Sequence, residues 1–364
     1  MIKVGWVPSS ENRSHPADRR RFGWILNNFG SNVIAENAKQ GRHYDVLYIS
    51  ISADLNYWSD PNKNLLLSNK DAWVVFDICD SLLTEPLYKS WMRPILRVVQ
   101  GHTFAFRSYK LTVIKMIEMS DSVVCGSVEQ KAYLQKYNSN VHVVRDVFMH
   151  DFGKSAASDE SMSLVKNETI DLLWEGLANG NGVIFKELSK ILENISVDFP
   201  DKKIVLHLVT DPEICKFSNC FCKKTDLYMN DLFKNMNIEI KVYDWSASAL
   251  LQLSSIVDVA LIPVPDDPVM INKPENKLIL FWYLNIPVIC SNTPSYKRVM
   301  QDAGLLDYCP NGFDWSLSMK RLVLSKTERN DYLEKMFNYI SANYTHEVIM
   351  QSWINVFKGS KLDG

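Results

Sequence analysis

Apolar residues in this chain come in short runs, separated by polar loops and by longer stretches with helical spacing. Ile2–Val7, Val46–Ser50, Trp73–Cys79, Ser122–Cys125 and His142–Val144 read as strands of the first half. Between them, Phe22–Phe29, Pro86–Met119 and Val128–Tyr137 carry apolar positions three to four apart, the helical period. The pattern restarts at Ile170–Trp174 and continues through Ile204–Val209, Ile238–Tyr243, Val259–Val264 and Ile286–Cys290. Val183–Ile195, Ser248–Leu253 and Pro274–Leu284 are the helices expected among these strands, and the tail from Glu328 to Phe357 reads as helical throughout. Strands alternating with helices predict parallel sheets wound on both faces, once in each half. The stretch Ser155–Thr169, small, polar and charged, has the composition of a linker. The expected division is 1–150 as an N-terminal Rossmann-like domain, 151–168 as a linker and 169–335 as a C-terminal Rossmann-like domain. Residues 336–364 are the closing helices.

Composition narrows the function classes. The 364 residues suffice for two α/β domains with real cores. A formal net charge of -2 gives no basic field for nucleic acid, and no nucleic-acid partner is expected. No apolar run reaches the roughly 18–20 residues that span a bilayer, and the start, MIKVGWVPSS, is too short in its apolar part for a secretory signal. The expectation is a cytoplasmic protein. Cys79, Cys125 and Cys290 lie in or beside apolar runs and read as buried thiols. Cys215, Cys220 and Cys222 cluster in one loop. Zinc is an alternative for that cluster, but it lacks a nearby fourth ligand, and no metal and no cofactor are expected.

Candidate chemistry gathers where strands end, because open α/β sheets bind ligands beyond their carboxyl ends. The segment Asp258–Asn292 reads strand, polar loop, helix, strand. Pro274 suits a first helical position, with Asn272 or Lys273 as cap. Lys273 and Lys277, four apart, would share a helix face beside the Asn276 amide and free backbone N–H groups, a cradle for a diphosphate. Asp77 and Asp80 end an apolar strand. Either one is a general base or orients an acceptor hydroxyl, or they cap a helix or pair with Arg107. The densest polar cluster, Arg13, His15, Asp18, Arg19, Arg20 and Arg21, follows the first strand. It reads either as an acceptor contact for a phosphate or carboxylate, or as a solvated helix start. The same arginines could meet anionic lipid headgroups, a peripheral contact with the inner membrane surface. His102 reads as an ordinary surface or core histidine rather than a catalytic one.

The block Lys273-Pro274-Glu275-Asn276-Lys277-Leu278, then Asn285-Ile286-Pro287-Val288-Ile289, resembles the donor-holding block of GT-B glycosyltransferases of the large family-4-like group. SDSVVCGSVEQKAYLQKY and VHVVRDVFMHDF are similar to the block that ends that family's N-terminal domain. Trp174-Glu175-Gly176 resembles its tight loop beneath the donor, and the blocks stand in family order. The resemblance implies a GT-B fold: two Rossmann-like doubly wound domains, with the C-terminal helices crossing back onto the N-terminal domain. It implies sugar transfer from a nucleotide-sugar to a glycan or lipid-linked acceptor in surface polysaccharide or lipopolysaccharide assembly. It makes Glu175, Gly176, Asn179, Asp244, Trp245, Asn272 and Asn276 donor-binding, and Lys273 and Lys277 stabilisers of the leaving diphosphate. Arg13, His15, Asp18, Arg20 and Arg21 then fall on the acceptor side, with Asp77 or Asp80 as the base of an inverting transfer. The family's paired glutamates, eight positions apart, are Asn272 and Leu280 here, and its usual Gly is Asn285. The lost glutamates keep a non-catalytic nucleotide-sugar-binding scaffold open as the second class, and an epimerase on the same fold as a third.

Overall fold

The computed structural model describes residues 1–10, 12–13, 15–29, 32–39, 42–60, 72–79, 81–99, 101–103, 107–148, 168–178, 182–216 and 221–362. The chain forms two compact units. The first comprises Met1–His150, Pro268–Asn276 and Tyr344–Gly364; the second comprises Asp151–Asp267 and Lys277–Asn343. The expected linker falls almost entirely outside the described residues.

The first unit holds a six-stranded parallel sheet. Its strands are β1 (Ile2–Val7), β2 (Val33–Asn37), β3 (Val46–Ser50), β4 (Trp73–Ile78), β5 (Ser122–Cys125) and β6 (Val141–Val143). They lie in the order β2-β1-β3-β4-β5-β6. Period-two alternation sends neighbouring side chains to opposite faces, and each face has its own core. Leu47, Ile49, Phe76, Ile78, Val123 and Cys125 pack on one side with Tyr109, Val113 and Met116. Val46, Tyr48, Val75 and Val124 pack on the other with Phe22, Ile25, Trp353 and Phe357. With both faces covered, the strands read as continuous apolar runs, which is why they were visible without a structure. The helix His346–Phe357 supplies the second face: Trp353 is fully buried, and Ser122 Oγ donates to the Val356 carbonyl at 2.8 Å.

The second unit is a five-stranded parallel sheet in the order β11-β8-β7-β12-β13. These strands are β7 (Thr169–Glu175), β8 (Lys203–Thr210), β11 (Ile238–Asp244), β12 (Val259–Ile262) and β13 (Val288–Cys290). A hairpin of β9 (Glu213–Lys216) and β10 (Phe221–Lys224) stands apart from the sheet. The buried Tyr332 hydroxyl ties this unit together. It accepts from Trp282 Nε1 at 2.9 Å and bonds both the N–H and the carbonyl of Val288 at 3.0 Å. Asn285 takes the left-handed conformation, φ 60°, that a short amide side chain tolerates.

The structure differs from the pattern reading at identifiable points. β2 is an edge strand of mixed burial, so its VIAEN lacks the apolar run of its neighbours. Pro86–Met119 is two helices, Leu87–Val99 and Tyr109–Met119. Gly101 at φ 84° lies between them, and the Ser108 side chain caps the second by accepting from Leu111 N. The loop after β1 winds into a π-helical turn, Asp18–Phe22, followed by a short helix, Gly23–Leu26. The donor-block helix begins at Asn276 rather than Pro274, after a separate turn of helix, Pro268–Ile271. Cys215 and Cys222 are joined by a disulfide across β9 and β10, so their sulfurs are not thiolates for zinc. Cys220 lies outside the described residues, while Cys79, Cys125, Cys290 and Cys309 are not in a disulfide.

Candidate functional site

In the second sheet the chain runs β7, β8, β11 to one side and then crosses to β12 on the other. That reversal opens a crevice at the carboxyl ends of β7 and β12, where open α/β sheets take their ligands. β7 ends in Glu175, and Gly176 follows at φ 150°, a conformation essentially reserved for glycine. A Cβ on Gly176 would stand 2.9 Å from Lys277 Nζ and 3.2 Å from the Trp174 ring. Lys277 comes to this loop from the helix Asn276–Tyr283. Its ammonium donates to the Glu175 carbonyl, lies 3.6 Å from Glu175 Oε2, and sits 5.2 Å from the centre of the Trp174 ring. Trp245 Nε1 donates to Glu175 Oε1 at 2.8 Å, and Asp211 accepts from Ala178 N at 3.0 Å. A cation is thus fixed beside a bare backbone turn, with an indole at its rim. This arrangement can hold a nucleoside diphosphate: charge for the phosphates, free backbone for close approach, and an aromatic edge for a base or sugar.

Of the residues expected to hold a donor, the structure brings Glu175, Gly176, Lys277 and Trp245 together. Asp244 ends β11 and is exposed. Asn179 lies outside the described residues. Lys273, Asn272 and Asn276 belong to the segment grouped with the first unit. There Asn272 is occupied by local bonds: its side-chain N donates to the Pro268 carbonyl at 2.7 Å, and its carbonyl accepts from Ser81 Oγ. Asn276 Nδ2 donates to Asp146 Oδ2 at 2.9 Å. Lys273 is exposed and stands ahead of the helix, so the shared helical face expected of Lys273 and Lys277 does not form. Leu280, at one of the two glutamate positions, is buried.

The first sheet has its own reversal, at β1 and β3, where Ser9 Oγ and Ser50 Oγ meet at 2.6 Å. The polar cluster lies here, but its members divide. Asp18 is buried and accepts from the backbone N–H groups of Ser9 and Ser10 at 2.7 and 2.9 Å, so it shapes the loop rather than meeting an acceptor. Arg21 is fully buried. It grips Asp77 with two nitrogens, and its Nη1 reaches Asp146 Oδ1 at 3.0 Å and the Val144 carbonyl at 2.9 Å. Asp77 also accepts from the Tyr48 hydroxyl at 2.5 Å. Where the sequence offered an acceptor-binding Arg21 and, for Asp77, either a base or a pair to Arg107, the structure makes Arg21 and Asp77 each other's buried partners. Burial alone would lower the Arg21 pKa, but the Asp77 and Asp146 carboxylates outweigh it and hold it well above its ordinary value. Asp80 lies outside the described residues.

Of the other four members, Arg13 and Arg19 are half-buried, His15 is exposed and Arg20 is buried. Arg13, at φ 59°, stacks 4.5 Å above the Trp6 ring and donates from Nε to Asn37 Oδ1 at 2.9 Å. His15 is exposed, and its Nδ1 accepts from Ala17 N at 3.2 Å. Arg20 stacks 4.9 Å from the Phe148 ring. Beyond the end of β4, a pocket of about 380 Å³, open to solvent, is lined by Ile78, Ser81, Thr84, Gln130 and Tyr133 among others. His102 sits with its pKa lowered by burial and by Arg97, 3.4 Å away. Sequence reasoning missed Tyr48, Asp146 and Asp211. Their partners are up to 125 positions distant, and no local pattern announces such a pairing.

No protein-family model matches this chain, and no curated protein matches it. Solved structures do. WaaG, described as a glycosyltransferase involved in lipopolysaccharide biosynthesis, aligns at a TM-score of 0.57 and 10% identity, over 98% of this chain and 99% of its own. TarM of S. aureus, in complex with fondaparinux, alpha-GlcNAc-glycerol and UDP, aligns at 0.53 and 8% identity, over 85% of this chain and 55% of its own. The chain thus spans about half the length of TarM. The E. coli trehalose-6-phosphate structure bound with UDP-2-fluoro glucose aligns at 0.51 and 8% identity, covering 90% of this chain and 73% of its own. At such identities the likeness is one of fold, and by fold this chain is similar to the GT-B glycosyltransferases.

Proposed function

We propose that this protein is a glycosyltransferase, moving a sugar from a nucleotide-sugar held at the β7–β12 crevice to a glycan or lipid-linked glycan acceptor. The observation that carries the reading is Lys277 held against the Glu175–Gly176 turn at the topological switch point. The ammonium, held by the Glu175 carbonyl and 3.6 Å from Glu175 Oε2, puts a positive charge at the turn that diphosphate oxygens can share. In this reading the ammonium neutralises the charge that develops on the departing diphosphate, and the bare turn lets it approach. Arg13 and His15, at the reversal of the first sheet, are the side chains for an acceptor's anionic groups, with Arg20 buried beside the Phe148 ring. The company of WaaG and TarM supports surface polysaccharide or lipopolysaccharide assembly as the setting, and UDP as the first nucleotide to try.

Calorimetry with UDP, GDP and CMP tests the donor site. Binding of one of them, lost in Lys277→Ala, supports the reading; no binding of any removes it. The anomeric configuration of the product, read by NMR, then decides whether any base is needed. One observation favours a second reading, a non-catalytic nucleotide-sugar binder. Leu280, a buried apolar residue, occupies a position where the resemblance expects a glutamate. Tight nucleotide binding with neither transfer nor donor hydrolysis would select it.

A further inference from the structure

The hairpin of β9 and β10 leaves the end of β8 and returns into the helix Thr225–Phe233, all within the second unit. It stands apart from both large sheets, and a two-stranded ribbon on its own is marginal in water. Its strands pair Glu213 with Lys224, Ile214 with Lys223 and Cys215 with Cys222, and a disulfide locks the cysteine pair. Cys222 is exposed and Cys215 half-buried, whereas Cys125, Cys290 and Cys309 are buried. A disulfide at the surface is open to attack by an outside thiolate, as one sealed in a core is not.

The base of the hairpin is tied to the loop that follows Gly176. Thr225, fully buried, donates from N to the Pro212 carbonyl at 2.9 Å and from Oγ1 to the Asp211 carbonyl at 2.8 Å. Asp211 in turn accepts from Ala178 N at 3.0 Å. The hairpin also reaches the far end of that loop. Lys223 pairs with Asp231 and lies 6.0 Å from the centre of the Tyr228 ring. Tyr228 is 6.2 Å from the ring of Phe185, in the first turn of the helix Gly182–Asp198. We propose that Cys215 and Cys222 form a reversible thiol–disulfide site, and that its reduction loosens the hairpin and with it the hold of Asp211 on Ala178. The reductant is a dithiol. Its thiolate attacks Cys222 Sγ, the S–S bond breaks, and Cys215 leaves as a thiolate that takes up a proton. The reductant's second thiol then attacks the mixed disulfide, which closes the reductant's own disulfide and releases Cys222 as a thiol. Two electrons and two protons pass from the dithiol to the protein. Nothing in this step requires a nucleotide in the crevice.

Maleimide labelling of the folded full chain, read by peptide mass mapping, tests the site. Cys215 and Cys222 should be labelled only after treatment with dithiothreitol, and should be protected again by oxidised glutathione. Hydrogen–deuterium exchange of a peptide covering 175–178 should quicken about tenfold or more on reduction, the scale expected of opening so short a ring. A peptide covering Val288–Cys290, in the core of the same unit, should be unchanged. Cys215→Ser with Cys222→Ser should show the fast exchange at 175–178 with or without dithiothreitol. Asp211→Ala should show it with the disulfide intact, which separates the Asp211 bond from the hairpin. No labelling after dithiothreitol, or labelling with exchange at 175–178 unchanged, overturns the proposal. So does exchange that quickens equally at Val288–Cys290, because the disulfide would then brace the whole unit.

Discussion

Arg21 and Asp77 form a two-pronged ion pair, Nη2 to Oδ1 at 2.8 Å and Nε to Oδ2 at 2.8 Å, with side-chain exposures of 0% and 5%. The pair joins the turn after β1 to the end of β4, and Asp146 and Tyr48 complete its shell. A carboxylate so enclosed is not placed to take a proton from an acceptor; what it does is keep a buried guanidinium compensated.

Asp77→Asn should therefore cost about 3–5 kcal/mol of stability, the usual result of stranding one partner of a buried pair. Urea denaturation measures this. Near-unchanged stability, together with a kcat lowered 10²–10⁴-fold as expected of a lost general base, would restore the catalytic role.

Tyr48 makes the same network sensitive to alkali. Burial first, and then the Asp77 charge, hold its hydroxyl proton well above the ordinary value of 10.0. In the unfolded chain that proton leaves near pH 10, earlier than in the folded one. The contribution to stability is thus intact below about pH 10 and declines as pH rises towards the folded value, by up to about 1.4 kcal/mol per pH unit for one proton. Tyr48→Phe, with no proton to lose, should show a shallower alkaline fall in denaturation measured from pH 8 to 11. Parallel curves would contradict the assignment.

Lys277→Ala should weaken nucleotide binding by roughly 10- to 100-fold, as loss of a charge-assisted bond worth about 1.5–3 kcal/mol does. Its ammonium is partly exposed, so stability should shift by less than about 1 kcal/mol. Calorimetry and thermal melting together separate the two effects; equal nucleotide affinity would take Lys277 out of the site.

Gly176→Ala places a methyl group 2.9 Å from Lys277 Nζ on a backbone at φ 150°. The expected cost is about 1–3 kcal/mol in stability. Nucleotide affinity should fall with it, because the ammonium must move. An alanine variant as stable and as tight-binding as the parent would mean that the turn adopts another conformation.

The alternation of strands and helices was legible in the chain because a sheet covered on both faces needs continuous apolar strands, and β1, β4, β5, β7 and β8 are such runs. The Glu175–Gly176 turn was marked in the sequence only by the family resemblance, and Lys277 by that resemblance and by its place near a helix start. β2 was not, since an edge strand of mixed burial carries no such run. The fate of the polar cluster was beyond reach as well. Whether Arg21 faces an acceptor or the interior depends on Asp77, Val144 and Asp146, 56 to 125 positions away, and only folding brings them within 3.1 Å. Likewise, the sequence showed a helical region at Pro86–Met119, but not which of its faces would be turned outward. That was decided by Ser52, Ala53 and Tyr109, whose oxygens drew Arg97 inward and left Leu87, Tyr88 and Trp91 to the solvent side. Periodicity sets the faces of an element. Which face is buried depends on the neighbours, and those are assigned in three dimensions.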